Sequence, residues 1–86
     1  MKQFQYVITD PVGIHARPAG LLAKAAKALT STITIEKVGG TSAAATKLMA
    51  VMGLGIKGGD TVIVTAEGGD EEASLAAMEQ FFQENL

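Results

Sequence analysis

Gly13-Ile14-His15-Ala16-Arg17-Pro18-Ala19 is where the hydrophobic period of the chain changes, and with it the expected backbone. Before this stretch Phe4, Tyr6 and Ile8 alternate with Gln3, Gln5, Val7 and Thr9, the period-two pattern of a half-buried strand. Asp10-Pro11-Val12-Gly13 is turn chemistry. After it Ala19, Leu22, Ala23, Ala26 and Leu29 fall on one helical stripe, in a helix running from Ala16 to about Leu29. Pro18 lies in the first turn, where its missing N–H costs little. The stretch also carries the only histidine of the chain. His15 stands at the helix start, where the first backbone N–H groups have no intrahelical partner and the helix dipole is positive. Such an end binds anions, and an arginine two positions on can hold phosphate through paired, charge-assisted hydrogen bonds. An imidazole nucleophile inside an anion site predicts reversible phosphorylation of His15, with Arg17 and the N–H groups of Ala16 and Arg17 facing the phosphate. A lone histidine is otherwise a structural or merely solvated residue. The preceding glycine, the helix-starting proline and the adjacent arginine separate the two readings.

Further along, Thr32-Ile33-Thr34-Ile35-Glu36 reads as a strand with Ile33 and Ile35 inward, Gly39-Gly40 as a hairpin, and Thr41 to Ala45 as the return strand. A short apolar helix fits Lys47 to Met52, with Thr46 as its N-cap and Gly53 as a left-handed C-cap. Thr61 to Ala66 is the clearest strand and is expected to be central. Gly68-Gly69-Asp70 leads into a last helix. Asp70 caps it, Glu71 and Glu72 suit its positive end, and Leu75, Met78 and Phe82, with Phe81, form its apolar stripe. The order is β-α-β-β-α-β-α. One antiparallel sheet with the helices on one face and a partly solvated second face is the simplest packing.

Length and composition narrow the function. The 86 residues are expected to form one domain, 1–86. With no cysteine and one histidine, neither a disulfide, a thiolate zinc site nor a histidine metal site is expected. A net charge of −2 does not suit a general nucleic-acid binder. No apolar run approaches membrane-spanning length, so no membrane insertion is expected. The first residues lack the apolar core of an export signal, so a cytoplasmic location is expected. Arg17, Lys24 and Lys27 lie in the first helical run, whereas Asp70, Glu71, Glu72, Glu79 and Glu84 lie towards the C-terminal end. The first helix thus offers a basic face for an acidic protein partner, the alternative being an ordinary solvated face.

Two further motifs need weighing. Gly53-Leu54-Gly55-Ile56-Lys57-Gly58 matches G-x-G-x-x-G, but it follows a helix and runs into a strand, the reverse of a dinucleotide site. Turn glycines are the better reading. Leu48, Met49, Val51, Met52 and Leu54 crowd one short segment that cannot bury every side. Leu48 and Val51 are expected in the core, Met49 and Met52 on a contact surface. No Ser–His–Asp arrangement, carboxylate pair or P-loop is evident.

Residues 13–19 resemble the active-site signature of the HPr family, the histidine-containing phosphocarriers of the bacterial phosphoenolpyruvate-dependent sugar phosphotransferase system. Lys24 and Lys27, Thr32-Ile33-Thr34-Ile35 and Thr65-Ala66-Glu67-Gly68 extend the likeness, as do length and element order. The resemblance implies an α+β fold, an open-faced β-sandwich with a four-stranded antiparallel sheet and three helices. It implies a phosphoryl relay with a phosphohistidine intermediate and no cofactor, rather than an independent enzyme. Enzyme I, phosphorylated from phosphoenolpyruvate, passes its phosphoryl group to Nδ1 of His15, and the carrier delivers it to a histidine of a sugar-specific enzyme IIA. The implied contact set is Ala16, Arg17, Gly20, Lys24, Lys27, Leu48, Met49 and Met52, a small surface that separates readily. A monomer is expected, and regulatory proteins are further partners.

In low-GC Gram-positive members a regulatory serine opens the second helix and is phosphorylated by an ATP-dependent kinase. Alignment on Leu48-Met49-Ala50-Val51-Met52 puts Lys47 there, after a hairpin at Val38-Gly39-Gly40 one residue longer than usual. Thr46 is then the candidate regulatory residue, and a helix cap explains it equally well. Ala50 replaces a basic residue found in some relatives. The other function class in view is a regulatory docking module that relays no phosphate to sugar transport; the intact His15-Ala16-Arg17 favours the carrier.

Overall fold

The computed structural model describes residues 1–86. Its elements are β1 (Lys2–Val7), α1 (Ala16–Lys27), β2 (Thr32–Lys37), β3 (Ser42–Ala44), α2 (Leu48–Met52), β4 (Thr61–Glu67) and α3 (Glu71–Asn85). The strands form one four-stranded sheet in the order β1-β4-β2-β3, antiparallel throughout. β4 is therefore central, as its unbroken β-branched run predicts.

Strand alternation decides which face is buried. Ile33 and Ile35 of β2 and Val62, Val64 and Ala66 of β4 point into one core with Leu22 of α1 and Met78 and Phe82 of α3. The residues between them, Thr32, Thr34 and Glu36 on β2 and Ile63 and Thr65 on β4, are half-buried or exposed. The helices thus cover one face and water reaches the other. Phe82 is fully buried, and the rings of Phe4, Tyr6 and Phe81 meet it edge-on at 6.0, 5.4 and 6.1 Å. The predicted stripe of α1 is buried at Ala19, Leu22, Ala23 and Ala26.

α2 departs from the sequence reading. Lys47, not Thr46, occupies its N-cap position, with no side-chain cap hydrogen bond. Gly53 is right-handed at φ −66° and ψ −15°, and the left-handed turn comes later, at Gly55, φ +66°. Leu48, expected in the core, is 39% exposed, because only Val51 of this five-residue helix points inward to full burial.

The loops at the two ends of the sheet are tied across. Ser31 donates its hydroxyl to the Gly68 carbonyl at 2.5 Å, and Thr30 Oγ1 accepts from Asp70 N at 3.0 Å. At the opposite end, residues 8–14 meet residues 55–60.

Candidate functional site

The loop from β1 to α1 is built by its own turn residues first. Asp10 accepts the Val12 N–H on Oδ1 at 2.9 Å and the Gly13 N–H on its carbonyl at 3.0 Å. Gly13 then turns the chain at φ +79°, a conformation that L side chains rarely adopt. Its Cα lies against the backbone of Ile56 and Lys57 with no room for a Cβ. Ile14 is buried, and its N–H donates to the Ile56 carbonyl at 3.0 Å. The loop is thus fixed up to the residue before His15.

His15 is exposed and extended, at φ −109° and ψ −169°, in the N-cap position of α1. Its carbonyl accepts the Ala19 N–H at 2.9 Å, the first hydrogen bond of the helix. Its side chain makes no cap hydrogen bond, so the Ala16 and Arg17 N–H groups keep no intrahelical acceptor. Pro18, buried, has no N–H to satisfy. Arg17 is exposed and joins no ion pair. His15 and Arg17 line a shallow cleft of 240 Å³ whose other walls are Asp10, Pro18, Leu21, Glu84 and Asn85. The predicted pair therefore lies together at an open, donor-rich end.

The expected contact residues divide. Gly20 is half-buried one turn beyond Ala16, with open space where a Cβ would stand, and Lys24 is exposed further along α1. α1 packs against α2, which exposes Met49 (76%) and Leu48. Met52 is half-buried and packs against the core. Lys27, at the far end of α1, lines a separate cleft with Thr30, Ser31 and Thr46. It is thus not brought to His15.

Sequence reasoning missed the walls contributed by Leu21, Glu84 and Asn85. Leu21 follows Arg17 by four residues, the spacing of one helix face, and was open to detection. Nothing in the sequence links Glu84 and Asn85 to His15, because α3 must fold back over the sheet before its C-terminal end reaches the cleft.

A family model described as the PTS HPr component phosphorylation site matches residues 2–84. The chain belongs to the HPr family. It is a phosphocarrier of the phosphotransferase system. The phosphocarrier protein HPr of Mycoplasma genitalium is 41% identical over 85 residues, covering 99% of this chain and 97% of that protein. The crystal structure of HPr from Thermoanaerobacter tengcongensis is 35% identical, with a TM-score of 0.88 over 96% of this chain and 92% of that one. An HPr dimer from the same organism superposes with a TM-score of 0.73 at 34% identity, over 98% of this chain and 95% of that one. The open four-stranded sheet with three helices is the HPr fold, and the exposed histidine opening α1 lies on it.

Proposed function

We propose that His15 accepts a phosphoryl group from phosphorylated enzyme I and donates it to a histidine of a sugar-specific enzyme IIA. The observation that carries this reading is the exposed His15 at an uncapped helix N-terminus, with Arg17 beside it in one cleft. A lone pair on His15 Nδ1 attacks phosphorus while the bond from phosphorus to the donor breaks and its electron pair leaves with the donor. The Ala16 and Arg17 N–H groups and the Arg17 guanidinium then face the phosphoryl oxygens, whose charge grows and shifts during transfer. Transfer to the acceptor is the same step reversed. The site is open to solvent, so the partner supplies the exclusion of water.

Docking falls to the adjoining surface of Gly20, Lys24, Leu48 and Met49, an apolar patch with a basic flank, with Met52 beneath it and Lys27 at its far edge. One copy of the chain carries both His15 and this surface, so the relay needs only a monomer, and no helix is long and apolar enough to cross a membrane, which suits a cytoplasmic carrier. Lys47 at the start of α2 has no hydroxyl for a serine kinase, and Thr46, half-buried beside Lys27, is the hydroxyl left for regulation there.

The test is to incubate the protein with phosphoenolpyruvate, Mg²⁺ and an active bacterial enzyme I, and to record its intact mass without acid. One added phosphoryl group, labile to acid and absent from His15→Ala, is the expected result. No addition, with enzyme I active on a control acceptor, turns the reading to a docking module.

A further inference from the structure

The G-x-G-x-x-G segment, whose glycines fit turns better than a dinucleotide site, meets the loop that carries His15. The two loops lock at two close backbone approaches. Gly13 lies against Ile56 and Lys57, as described above. In return Gly58 lies against Asp10 and Pro11, where a Cβ would stand 2.7 Å from the Asp10 carbonyl oxygen and 2.9 Å from Pro11 Cα. Both obstacles to Gly58 are backbone, which cannot swing aside as a side chain does. Hydrogen bonds close the lock at both ends. Ile8 N donates to the Asp60 carbonyl at 2.9 Å, Gly59 N donates to the Ile8 carbonyl at 2.8 Å, and Ile14 N donates to the Ile56 carbonyl at 3.0 Å.

The 55–60 turn is itself stiffened from outside the His15 loop. Asp60 Oδ2 accepts the Lys57 N–H at 2.9 Å and pairs with Lys37 Nζ of β2 at 3.5 Å. Lys37 Nζ also donates to the Gly55 carbonyl at 3.3 Å. The Lys57 N–H, and then the charge of Lys37, hold the Asp60 carboxyl below the usual carboxylate range, so it stays ionised.

We propose that Gly58 and Asp60 are positioning residues for phosphoryl transfer: they fix the 55–60 turn as the template on which residues 10–14 are laid, and so set the direction of His15. This rests on His15 being the phosphoryl acceptor. Neither residue touches the cleft; their influence passes through Asp10-Pro11 and through the Ile56–Ile14 hydrogen bond.

Gly68, in the turn between β4 and α3 at the opposite end of the sheet, provides the control. It stands at φ +78°, so a side chain there strains its own turn, yet no atom lies within 4 Å of its would-be Cβ. Gly58→Ala and Gly68→Ala are to be compared in ¹⁵N-labelled protein by thermal unfolding, by the amide resonances of Ile14, His15 and Ala16, and by the rate of phosphoryl acceptance from enzyme I. In Gly58→Ala the three resonances shift and acceptance falls by on the order of tenfold or more, since misplacement of a reacting group by about 1 Å costs up to ~10²-fold. In Gly68→Ala both stay close to those of the unaltered protein although its stability drops. Gly58→Ala with unmoved resonances and an unaltered rate overturns the proposal, and so does a Gly68→Ala that loses as much rate as Gly58→Ala. If Gly58→Ala does not fold, Asp60→Asn decides: the same resonances move, or the proposal fails. A native protein that takes no phosphoryl group defeats the acceptor reading alone, because the resonances still report the positioning.

Discussion

α1 and α3 begin in opposite ways. At the start of α3 the chain supplies its own acceptors: Asp70 Oδ1 takes the Ala73 N–H at 3.1 Å, and Glu71 Oε2 takes the Gly68 N–H at 2.8 Å. At the start of α1 there is no acidic residue, His15 makes no cap hydrogen bond, and the Arg17 guanidinium adds positive charge where the dipole is already positive. Stability alone would have placed Ser, Asp or Asn at position 15. An end left without a capping acceptor is what the proposed phosphoryl acceptance at His15 requires, whereas a filled end only holds the helix.

The comparison breaks most readily at Arg17. If α1 is open in order to hold a phosphoryl group, Arg17→Ala slows transfer in both directions by about 10- to 100-fold, the worth of one charge-assisted hydrogen bond lost in the transition state. His15 remains the acceptor, and the melting temperature hardly moves because the side chain is exposed. Single-turnover transfer from enzyme I measures this. Unchanged rates in both directions would remove the role given to Arg17.

A pair of substitutions exchanges the two helix ends. Asp70→Ala removes a cap and costs roughly 0.5–2 kcal/mol, or roughly 2–16 °C of melting temperature for a chain of this size, with transfer unaffected. His15→Asp gives α1 a cap it lacks and abolishes acceptance. Its gain is expected at the lower end of that range, because Pro18 has no N–H and only the Arg17 N–H remains to be capped. Thermal unfolding of both variants checks the pair. A His15→Asp protein less stable than the native chain would show that His15 has a structural role.

The alternation of β1, the stripe of α1 and the cap of α3 were legible because each is a local pattern repeated over several residues. The placing of His15 and Arg17 together at the start of α1 was legible because they are near neighbours in sequence beside a helix-starting proline. α2 was not. In a five-residue helix no period repeats, so Thr46 and Lys47 compete for the cap on propensity alone, and the Lys47 N–H bond to the Ala44 carbonyl at 3.0 Å belongs to the turn leaving β3. The exposure of Leu48 follows from the placement of α2 against α1, which no local pattern encodes. The same holds for Glu84 and Asn85 at the cleft and for the lock between the 10–14 and 55–60 loops, since these are meetings of distant segments.

Gly20 gives a smaller test. α3 contains no glycine, whereas α1 carries one mid-helix, at a place where a methyl group would meet nothing. An alanine there is expected to stabilise the protein by about 0.5–1 kcal/mol. If the missing methyl keeps the surface beside His15 flat for docking, Gly20→Ala is both more stable and slower to accept from enzyme I at low carrier concentration, with little change at saturation. A variant that gains stability and keeps its rate at every concentration would make Gly20 a neutral surface position.

The smallest effect is expected in acid, and it separates the two helix ends by pH. The Met1 amino group, 2.9 Å from Oε1, and then the Gly68 N–H hold the Glu71 carboxyl below its ordinary value of 4.5. Between that depressed value and 4.5 the unfolded chain binds more protons than the folded one, so stability rises with pH across the window. The contribution is fully present above the unfolded value and is lost as pH falls through the folded one. Glu71→Gln therefore melts below the native protein near neutrality, and the gap closes on acidification, as melting curves taken from about pH 6 down to about pH 3 would follow. The first turn of α1 holds no acidic residue and so has no counterpart of this ion pair. A gap that stays constant across the range would mean that Glu71 acts through its shape and hydrogen bonding rather than its charge, and the electrostatic half of the contrast between the two helix ends would fall.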